Sequence, residues 1–147
     1  MSINDSNKRV VVRWFQDYLN TGDMDVVMEL TTPESRLYFP GYQEPLIPEE
    51  AKLILPALRA GFPDLRFHIE EMITEGNKVF ARLTMQGTHK GEFQGMPPTN
   101  KSVKLRVHVE LKLRDGKIIE DRPMFDRLDM LEQLGIFTMP VKAKQVA

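Results

Sequence analysis

The first part of the chain has the apolar spacing of amphipathic helices. From Asn7 to Asn20, apolar residues recur three and four positions apart, with charged and amide residues between them. This pattern buries one stripe of a helix and leaves the rest in water. Gly22 ends the predicted helix. Asp23 can cap a second, shorter helix that the Thr31-Thr32-Pro33 segment terminates.

A short strand and a third helix are expected next. The strand covers Ser35 to Phe39, and a turn-rich segment follows it. Pro48 suits the first position of a helix, where its missing N–H costs nothing. The pattern predicts that this helix runs to about Ala60, with a kink or a break at Pro56, because proline cannot donate the intrahelical hydrogen bond.

Beyond Asp64 the pattern changes to the alternation of long strands. Asp115-Gly116, between two alternating runs, is the strongest hairpin signal in the chain. Asp126 can then cap a final helix that Gly135 closes. Helices followed by antiparallel strands predict an α+β domain, with helices packed on one face of a curved sheet. The expected strands are Leu65–Thr74, Lys78–Thr88, Ser102–Arg114 and Lys117–Phe125.

The length of the chain and its charge limit the kinds of partner. A chain of 147 residues has room for one domain, whose core we expect at about 8–136, with a flexible C-terminal tail at 138–147. The net charge of -1 gives no basic excess for nucleic acid. The N-terminus has no signal-peptide pattern, and Pro56 interrupts the longest apolar run, so we expect a cytoplasmic protein that does not enter membranes.

The composition also limits the chemistry. The sequence has no cysteine, and its three histidines, His68, His89 and His108, are too far apart for a common metal-binding motif. We therefore expect no catalytic metal. Oxygen and imidazole groups remain for catalysis.

The predicted hairpin contains the strongest candidates for proton transfer. Strict alternation in the strand before the turn places Arg106 and His108 on its polar face, and Asp121 on the next strand lies far enough from the turn to pair near His108. A carboxylate beside an imidazole can exchange protons near neutral pH. Two simpler interpretations stay open: His108 is an exposed surface residue, and Asp121 forms a salt bridge to Arg122 or Arg106.

Several other side chains are candidates for ligand contacts. His89 follows a strand, at a rim that can hold either a binding group or a turn side chain bonded to backbone. Aromatic and methionine side chains pack in cores, and some line pockets for flat hydrophobic ligands. The candidates of this kind are Trp14, Tyr18, Tyr42, Phe93 and Met124.

Four segments in order resemble the SnoaL-like polyketide cyclase family, also called ester cyclases. The resemblance runs from about Lys8 to Ile136. It implies a cone-shaped α+β barrel, in which a strongly curved, mainly antiparallel sheet wraps around N-terminal helices, as in nuclear transport factor two and ketosteroid isomerase. It also implies a homodimer or higher homo-oligomer. The segments are Phe62-Pro63-Asp64-Leu65, Gly87 to Thr99, Asp115 to Asp121, and Asp126 with Gln133-Leu134-Gly135.

The resemblance also implies an activity. Characterised members close a ring of an aromatic polyketide ester by intramolecular aldol condensation, without metal or organic cofactor. Their acid/base aspartate and assisting histidine correspond to Asp121 and His108. Many members have histidine at the position of Asp121, so the aspartate here indicates the cyclase-like subset of the family. Arg122 stands where the family often has tryptophan, and its charge could hold Asp121 ionised.

The sequence therefore leaves three alternative functions. The first is a cofactor-independent cyclase or isomerase that acts on a hydrophobic carbonyl or ester compound. The second is a non-catalytic module that binds a lipid-like or aromatic ligand in the same cavity. The third is an interaction protein that dimerises through the outer sheet face, with ion pairs from Arg106, Glu110 and Lys112.

Overall fold

The computed structural model describes residues 2–138 and residue 140. Helices fill the N-terminal part and cap the C-terminal end, and the strands form one sheet. The helices are α1 (Ile3–Arg13), a π-helix (Trp14–Leu19), α2 (Met24–Leu30), α3 (Pro48–Gly61) and α4 (Arg127–Gln133). The strands are β1 (Thr31–Leu37), β2 (Arg66–Glu75), β3 (Lys78–Thr88), β4 (Ser102–Arg114) and β5 (Lys117–Phe125).

The five-stranded sheet has the order β1-β5-β4-β3-β2. Strands β2 to β5 form an antiparallel meander, and β1 pairs with β5 in the parallel direction. The α+β class predicted from the sequence is confirmed. The long alternating strands supply the sheet, and the amphipathic helices cover one of its faces.

Two predictions for the segment between Thr31 and Gly61 differ from the structure. The strand expected from Ser35 begins at Thr31, directly after α2. Pro33 is tolerated within it because β1 lies at the edge of the sheet, where proline can face away from the ladder. The helix α3 continues past Pro56 to Gly61 without a break.

The core lies between the helices and the concave face of the sheet. Strict alternation on β3 and β4 points every second side chain at the helices and the others at solvent. Burial of this apolar set is the main force that holds the sheet against the helices. On the two central strands the inward set is Val79, Ala81, Leu83, Met85, Val103, Leu105, Val107, Val109, Leu111 and Leu113.

Apart from 138 and 140, the tail predicted at 138–147 lies outside the described residues. Among the helices of the described part, none combines the length and the apolar content that a membrane span requires.

The predicted hairpin turn at Asp115-Gly116 is present. Both residues have left-handed backbone conformations, with φ of 52° at Asp115 and 75° at Gly116. Two consecutive positive φ angles define the turn whose twist matches the flanking strands. A Cβ at Gly116 would meet no atom within 4 Å, so only the backbone conformation requires glycine there.

Replacing Gly116 with alanine should therefore lower the free energy of unfolding by about 1 kcal/mol, because a side chain disfavours left-handed backbone. Gly116→Asn is the matched control. Its free energy of unfolding should fall less, because asparagine tolerates this conformation better than alanine. Urea denaturation measures both variants. An equal loss in the two would contradict the assignment.

Candidate active site

An apolar cavity of about 80 Å³ lies between the helices and the concave face of the sheet. We call it the inner cavity. Asp121 is the one ionisable side chain among the described residues of its wall. The wall consists of Phe15, Leu19, Phe39, Pro40, Ile54, Leu55, Leu58, Phe62, Phe67, Met85, Phe93, Val107, Asp121, Pro123, Phe125 and Met130.

A β-bulge turns Asp121 towards this cavity. Lys112 of β4 pairs with Glu120 of β5, and the next residue of β4, Leu113, pairs with Ile118 of β5. Ile119 therefore has no partner on β4 and is an extra residue in the ladder. An inserted residue reverses the alternation of facing beyond it. Ile118 and Asp121 are both buried, although three positions separate them. Asp121 consequently pairs with the inward-facing Leu111.

Burial controls the protonation of Asp121. The residue is 3% exposed, and its Oδ1 atom has no hydrogen-bond partner among the described residues. Loss of hydration disfavours the charged form. Burial raises the pKa of Asp121 from its ordinary value of 3.8 to about 7, and the nearby Trp14 indole partly opposes this shift. Both protonation states are therefore populated near neutral pH.

Two polar aromatic side chains accompany Asp121. The Trp14 indole nitrogen and the Tyr18 hydroxyl are buried, and neither has a hydrogen-bond partner within the described part of the chain. Burial raises the pKa of Tyr18 above its usual range, and the charge of Asp121 adds to this shift. The two rings are 4.7 Å apart between centroids and tilted by 54°. Three potential hydrogen-bonding groups thus lie together in an apolar environment.

A π-helix brings these aromatic residues to the site. The sequence predicts one helix over Asn7–Asn20, whereas the structure has α1 from Ile3 and then the wider π-helix. The Asn20 N–H donates to the Phe15 carbonyl at 2.9 Å, five residues back. Trp14, Phe15, Tyr18 and Leu19 are all buried. Short π-helical insertions are frequent at functional sites, and the apolar spacing did not distinguish this one from an α-helix.

Trp14 and Tyr18, predicted as substrate contacts, lie beside Asp121 but form no part of the inner cavity wall. Both are fully buried. This placement differs from the direct contact that we expected, because the widened π-helical turn packs both rings into the core. Their polar atoms are available to Asp121 rather than to a ligand.

The predicted pair of Asp121 and His108 is not formed. His108 is exposed and pairs with Met124 across the strands, whereas Asp121 pairs with Leu111 on the buried face. Adjacent positions on a strand face opposite sides of the sheet, and the bulge at Ile119 changes the facing of side chains on β5 but not on β4. Met124, another predicted ligand contact, is 68% exposed on the outer face and is absent from the inner cavity wall.

The predicted salt bridge from Asp121 to Arg122 or Arg106 is also absent. The Arg122 guanidinium carbon lies 3.8 Å from the centroid of the Tyr38 ring, and its Nε atom bonds Glu120 Oε2 at 3.2 Å. Both contacts hold Arg122 on the outer face. Arg106 is exposed on that face as well. Neither arginine therefore holds Asp121 in its charged form, and burial is the main determinant of its pKa.

His89 is buried and not at an open rim. Its ring stacks on Phe62 with centroids 5.3 Å apart, and its Nδ1 atom accepts from the Thr99 N–H at 3.3 Å and lies 3.1 Å from Thr99 Oγ1. His89 does not line the inner cavity. It holds the two ends of the 89–99 loop together. This role resembles the predicted alternative in which His89 is a turn side chain bonded to backbone. From that loop, Phe93 reaches the inner cavity wall.

A second, shallower cavity of about 140 Å³ adjoins the inner one, and we call it the outer cavity. Seven residues line both cavities. Of the predicted ligand contacts, Tyr42 lines only the outer cavity and Phe93 lines both. Gln94 and Arg127 also line the outer cavity, and no local sequence pattern predicts this, because only the fold places the 89–99 loop beside the start of α4. The shared walls are Phe39, Pro40, Ile54, Leu58, Phe93, Phe125 and Met130.

Metal ligands are not grouped in the described part of the chain. Across residues 2–138 and 140, no three His, Cys, Asp or Glu side chains lie close enough together to hold a metal ion.

The sequence profile of the SnoaL-like polyketide cyclase family matches residues 9–134. The chain belongs to this family. The predicted SnoaL-like fold, shared with nuclear transport factor two, is thereby confirmed.

Particular relatives show how close the similarity is. The chain is 30% identical over 122 residues to aklanonic acid methyl ester cyclase DnrD of Streptomyces peucetius, covering 81% of this chain and 72% of that protein. A SnoaL-like protein from Jannaschia sp. CCS1 superposes with a TM-score of 0.83 and 29% identity, covering 91% and 94% of the two chains. IdmH of Streptomyces antibioticus gives a TM-score of 0.78 and 27% identity, covering 88% and 98%.

The raised pKa of Asp121 makes folding stability depend on pH. Between its unfolded value of 3.8 and its folded value of about 7, the folded protein binds more protons than the unfolded chain. Stability should therefore fall as pH rises through this interval, by on the order of 2–4 kcal/mol. Asp121→Asn removes the titrating group and should be the more stable protein at pH 8. Urea denaturation at pH 5 and pH 8 tests this, and parallel pH profiles for the two proteins would contradict it.

Proposed function

We propose that this protein is a cofactor-independent cyclase that uses Asp121 as acid and base in an intramolecular aldol reaction on a hydrophobic carbonyl or ester compound. The observation that carries the proposal is the placement of Asp121, a lone ionisable group on an apolar cavity wall, with a pKa of about 7. A general acid/base works best when its pKa lies near the operating pH. The family membership of the chain favours the same chemistry.

The reaction moves one proton from a carbon of the substrate to an oxygen of the product. The Asp121 carboxylate removes a proton from a carbon between two carbonyl groups, and the electron pair of that C–H bond forms an enolate. The enolate carbon attacks a second carbonyl of the same molecule, so a C–C bond forms and the carbonyl oxygen becomes an alkoxide. The protonated Asp121 then returns its proton to the alkoxide. No atom is lost, and the group ends as it began.

Trp14 and Tyr18 act in this proposal as positioning residues. Their N–H and O–H groups lie beside Asp121 and have no other partner among the described residues. Donors beside a carboxylate favour its charged form. They would keep the pKa of Asp121 from rising beyond the range in which it accepts a proton at neutral pH. His108 has no role in this scheme, because it lies on the opposite face of the sheet.

The size of the cavities limits the substrate. Neither cavity, at about 80 and about 140 Å³, reaches the roughly 300 Å³ at which typical ligand pockets begin. A substrate would place its reacting carbon at Asp121 and extend from the inner cavity into the outer one. An ester of the kind named for the Streptomyces peucetius relative has the required carbonyl chemistry, but a rigid polycyclic compound would also need the walls to move apart.

A binding module is the second candidate. The apolar wall of the inner cavity favours it, since apolar cavities bind apolar molecules without any catalytic group. A ligand that copurifies and is identified by mass spectrometry, with no turnover of carbonyl compounds, would support this function over the first.

We also propose a homodimer through the outer face of the sheet. Ile73, Phe80 and Met124 are exposed there at 61%, 49% and 68%. Glu110, expected to pair across subunits, instead bonds Lys78 of its own chain at 2.8 Å. Apolar contact, rather than the ion pairs expected from the sequence, would therefore carry the association.

Phe80→Glu should convert such a dimer to a monomer, because it places a charge within the apolar part of the interface. Light scattering gives the mass of the parent and of the variant. A parent protein that is monomeric at all concentrations would exclude the dimer. A dimer that survives the substitution would place the interface elsewhere.

Asp121→Asn tests the catalytic proposal. The variant keeps the shape of the side chain but cannot take up the proton, so turnover should fall by at least about a hundredfold. Exchange of the acidic carbon-bound hydrogen of ethyl acetoacetate for deuterium, followed by proton NMR, reports the first step without knowledge of the natural substrate. Asp25→Asn, on the exposed surface of α2, is the matched control and should exchange at the parent rate. Protein-free buffer gives the background rate of exchange, and equal exchange above that rate in the parent and in Asp121→Asn would refute the proposed function.

A further inference from the structure

Arg127 is the one cationic side chain on the described wall of the outer cavity. The other charged residue there is Glu92, and one of its carboxylate oxygens accepts a hydrogen bond from the Gly95 N–H. Arg127 forms no ion pair with any residue in 2–138 or with 140, and its hydrogen bond to Gln94 involves a neutral group. The exposed Arg127 guanidinium therefore lies at the rim of an apolar cavity, and most of its five donors are not taken up by any described residue.

Two neighbours contact this exposed guanidinium. A Cβ atom on Gly41 would lie 2.8 Å from Arg127 Nη1, so a side chain at that position would displace the guanidinium. Gly41 also has φ of 97°, which other residues rarely adopt. From the opposite loop, Gln94 Oε1 accepts from Arg127 Nη2 at 3.2 Å. Gln94 has an uncommon φ of 48°.

Asp121 and Arg127 lie on the walls of two adjoining cavities. The inner cavity, at about 80 Å³, holds only a few heavy atoms around Asp121. The outer cavity shares seven wall residues with it and contains Arg127. A molecule whose reacting carbon reaches Asp121 must therefore leave its remaining atoms in the outer cavity, next to the guanidinium.

We propose that Arg127 binds a carboxylate at the end of the substrate that projects into the outer cavity. This inference rests on the proposed function and narrows its substrate class to carbonyl compounds with a free acid group. A planar guanidinium matches the two oxygens of a carboxylate, and hydrogen bonds between two charged groups are about twice as strong as neutral ones. A neutral ester in the same place would accept one or two weaker bonds.

A pair of probes that differ in charge at one end tests this assignment. Phenylacetic acid and its methyl ester have the same single apolar ring, small enough to occupy the walls that the two cavities share, and differ at the end that would reach Arg127. Isothermal titration calorimetry at pH 7.5 should show the acid binding roughly tenfold more tightly than the ester, as a hydrogen bond to a charged group predicts. Arg127→Gln should abolish this preference and leave the affinity for the ester within about twofold of the parent.

Three further variants complete the experiment. Arg127→Lys keeps the charge but loses the two-pronged geometry, so it should retain part of the preference. Gly41→Ala should displace the guanidinium and weaken the acid selectively. Arg9→Gln, on the exposed surface of α1, removes an equal charge away from the cavities and should bind like the parent. Circular dichroism melts identify any variant that fails to fold, and the remaining ones still decide the outcome.

Equal affinity of the parent for acid and ester would overturn the inference, as would a preference that survives Arg127→Gln. Asp121→Asn separates this result from the proposed function, because the assay measures binding and not turnover. That variant should keep the preference for the acid even if Asp121 proves to have no catalytic role. Loss of deuterium exchange in Asp121→Asn, in turn, does not depend on Arg127.

Discussion

The site depends on the burial of one carboxyl group in an apolar cavity. Asp121 has lost its water without gaining a cation from the described residues, so its pKa is raised to about 7 and both of its forms are populated near neutral pH. Every other property of the site follows from this condition. The wall must exclude water, and the neighbours of Asp121 must supply donors without supplying charge. A cofactor-independent proton transfer needs little more than such a group and a cavity that orients the substrate.

The fold creates this condition by local irregularities in regular elements. The bulge at Ile119 turns Asp121 inward, and the π-helix places Trp14 and Tyr18 beside it. Such irregularities cost stability compared with an uninterrupted strand or α-helix, and proteins often retain them at functional sites. Asp121 adds its own cost at neutral pH through the desolvation of its charge. The aliphatic side chains of β3 and β4 supply much of the burial that offsets both costs.

The polar end of the site has a different organisation. The inner cavity is apolar and contains the proton-transfer group, whereas the outer cavity has Arg127 and Gln94 on its wall. Such an arrangement suits a ligand with an apolar reacting part and a polar end. The outer face of the sheet is a third surface, where apolar side chains lie among ion pairs such as Lys78 with Glu110. Cavity and surface are separated by a single layer of sheet, so the two can serve separate purposes.

The sequence by itself determined the α+β class, the long strands, the hairpin at Asp115-Gly116 and the family, because period-2 alternation and turn residues are local properties. It also singled out Asp121. Only the tertiary structure decided the partners of Asp121. Counting alternating positions predicts that Asp121 lies beside His108, whereas a one-residue bulge in β5 places Asp121 on the opposite face of the sheet. Arg127 shows the same limit, since residues distant in sequence meet at the outer cavity only after the loops fold. Facing and long-range contact depend on the whole chain, and no local pattern encodes them.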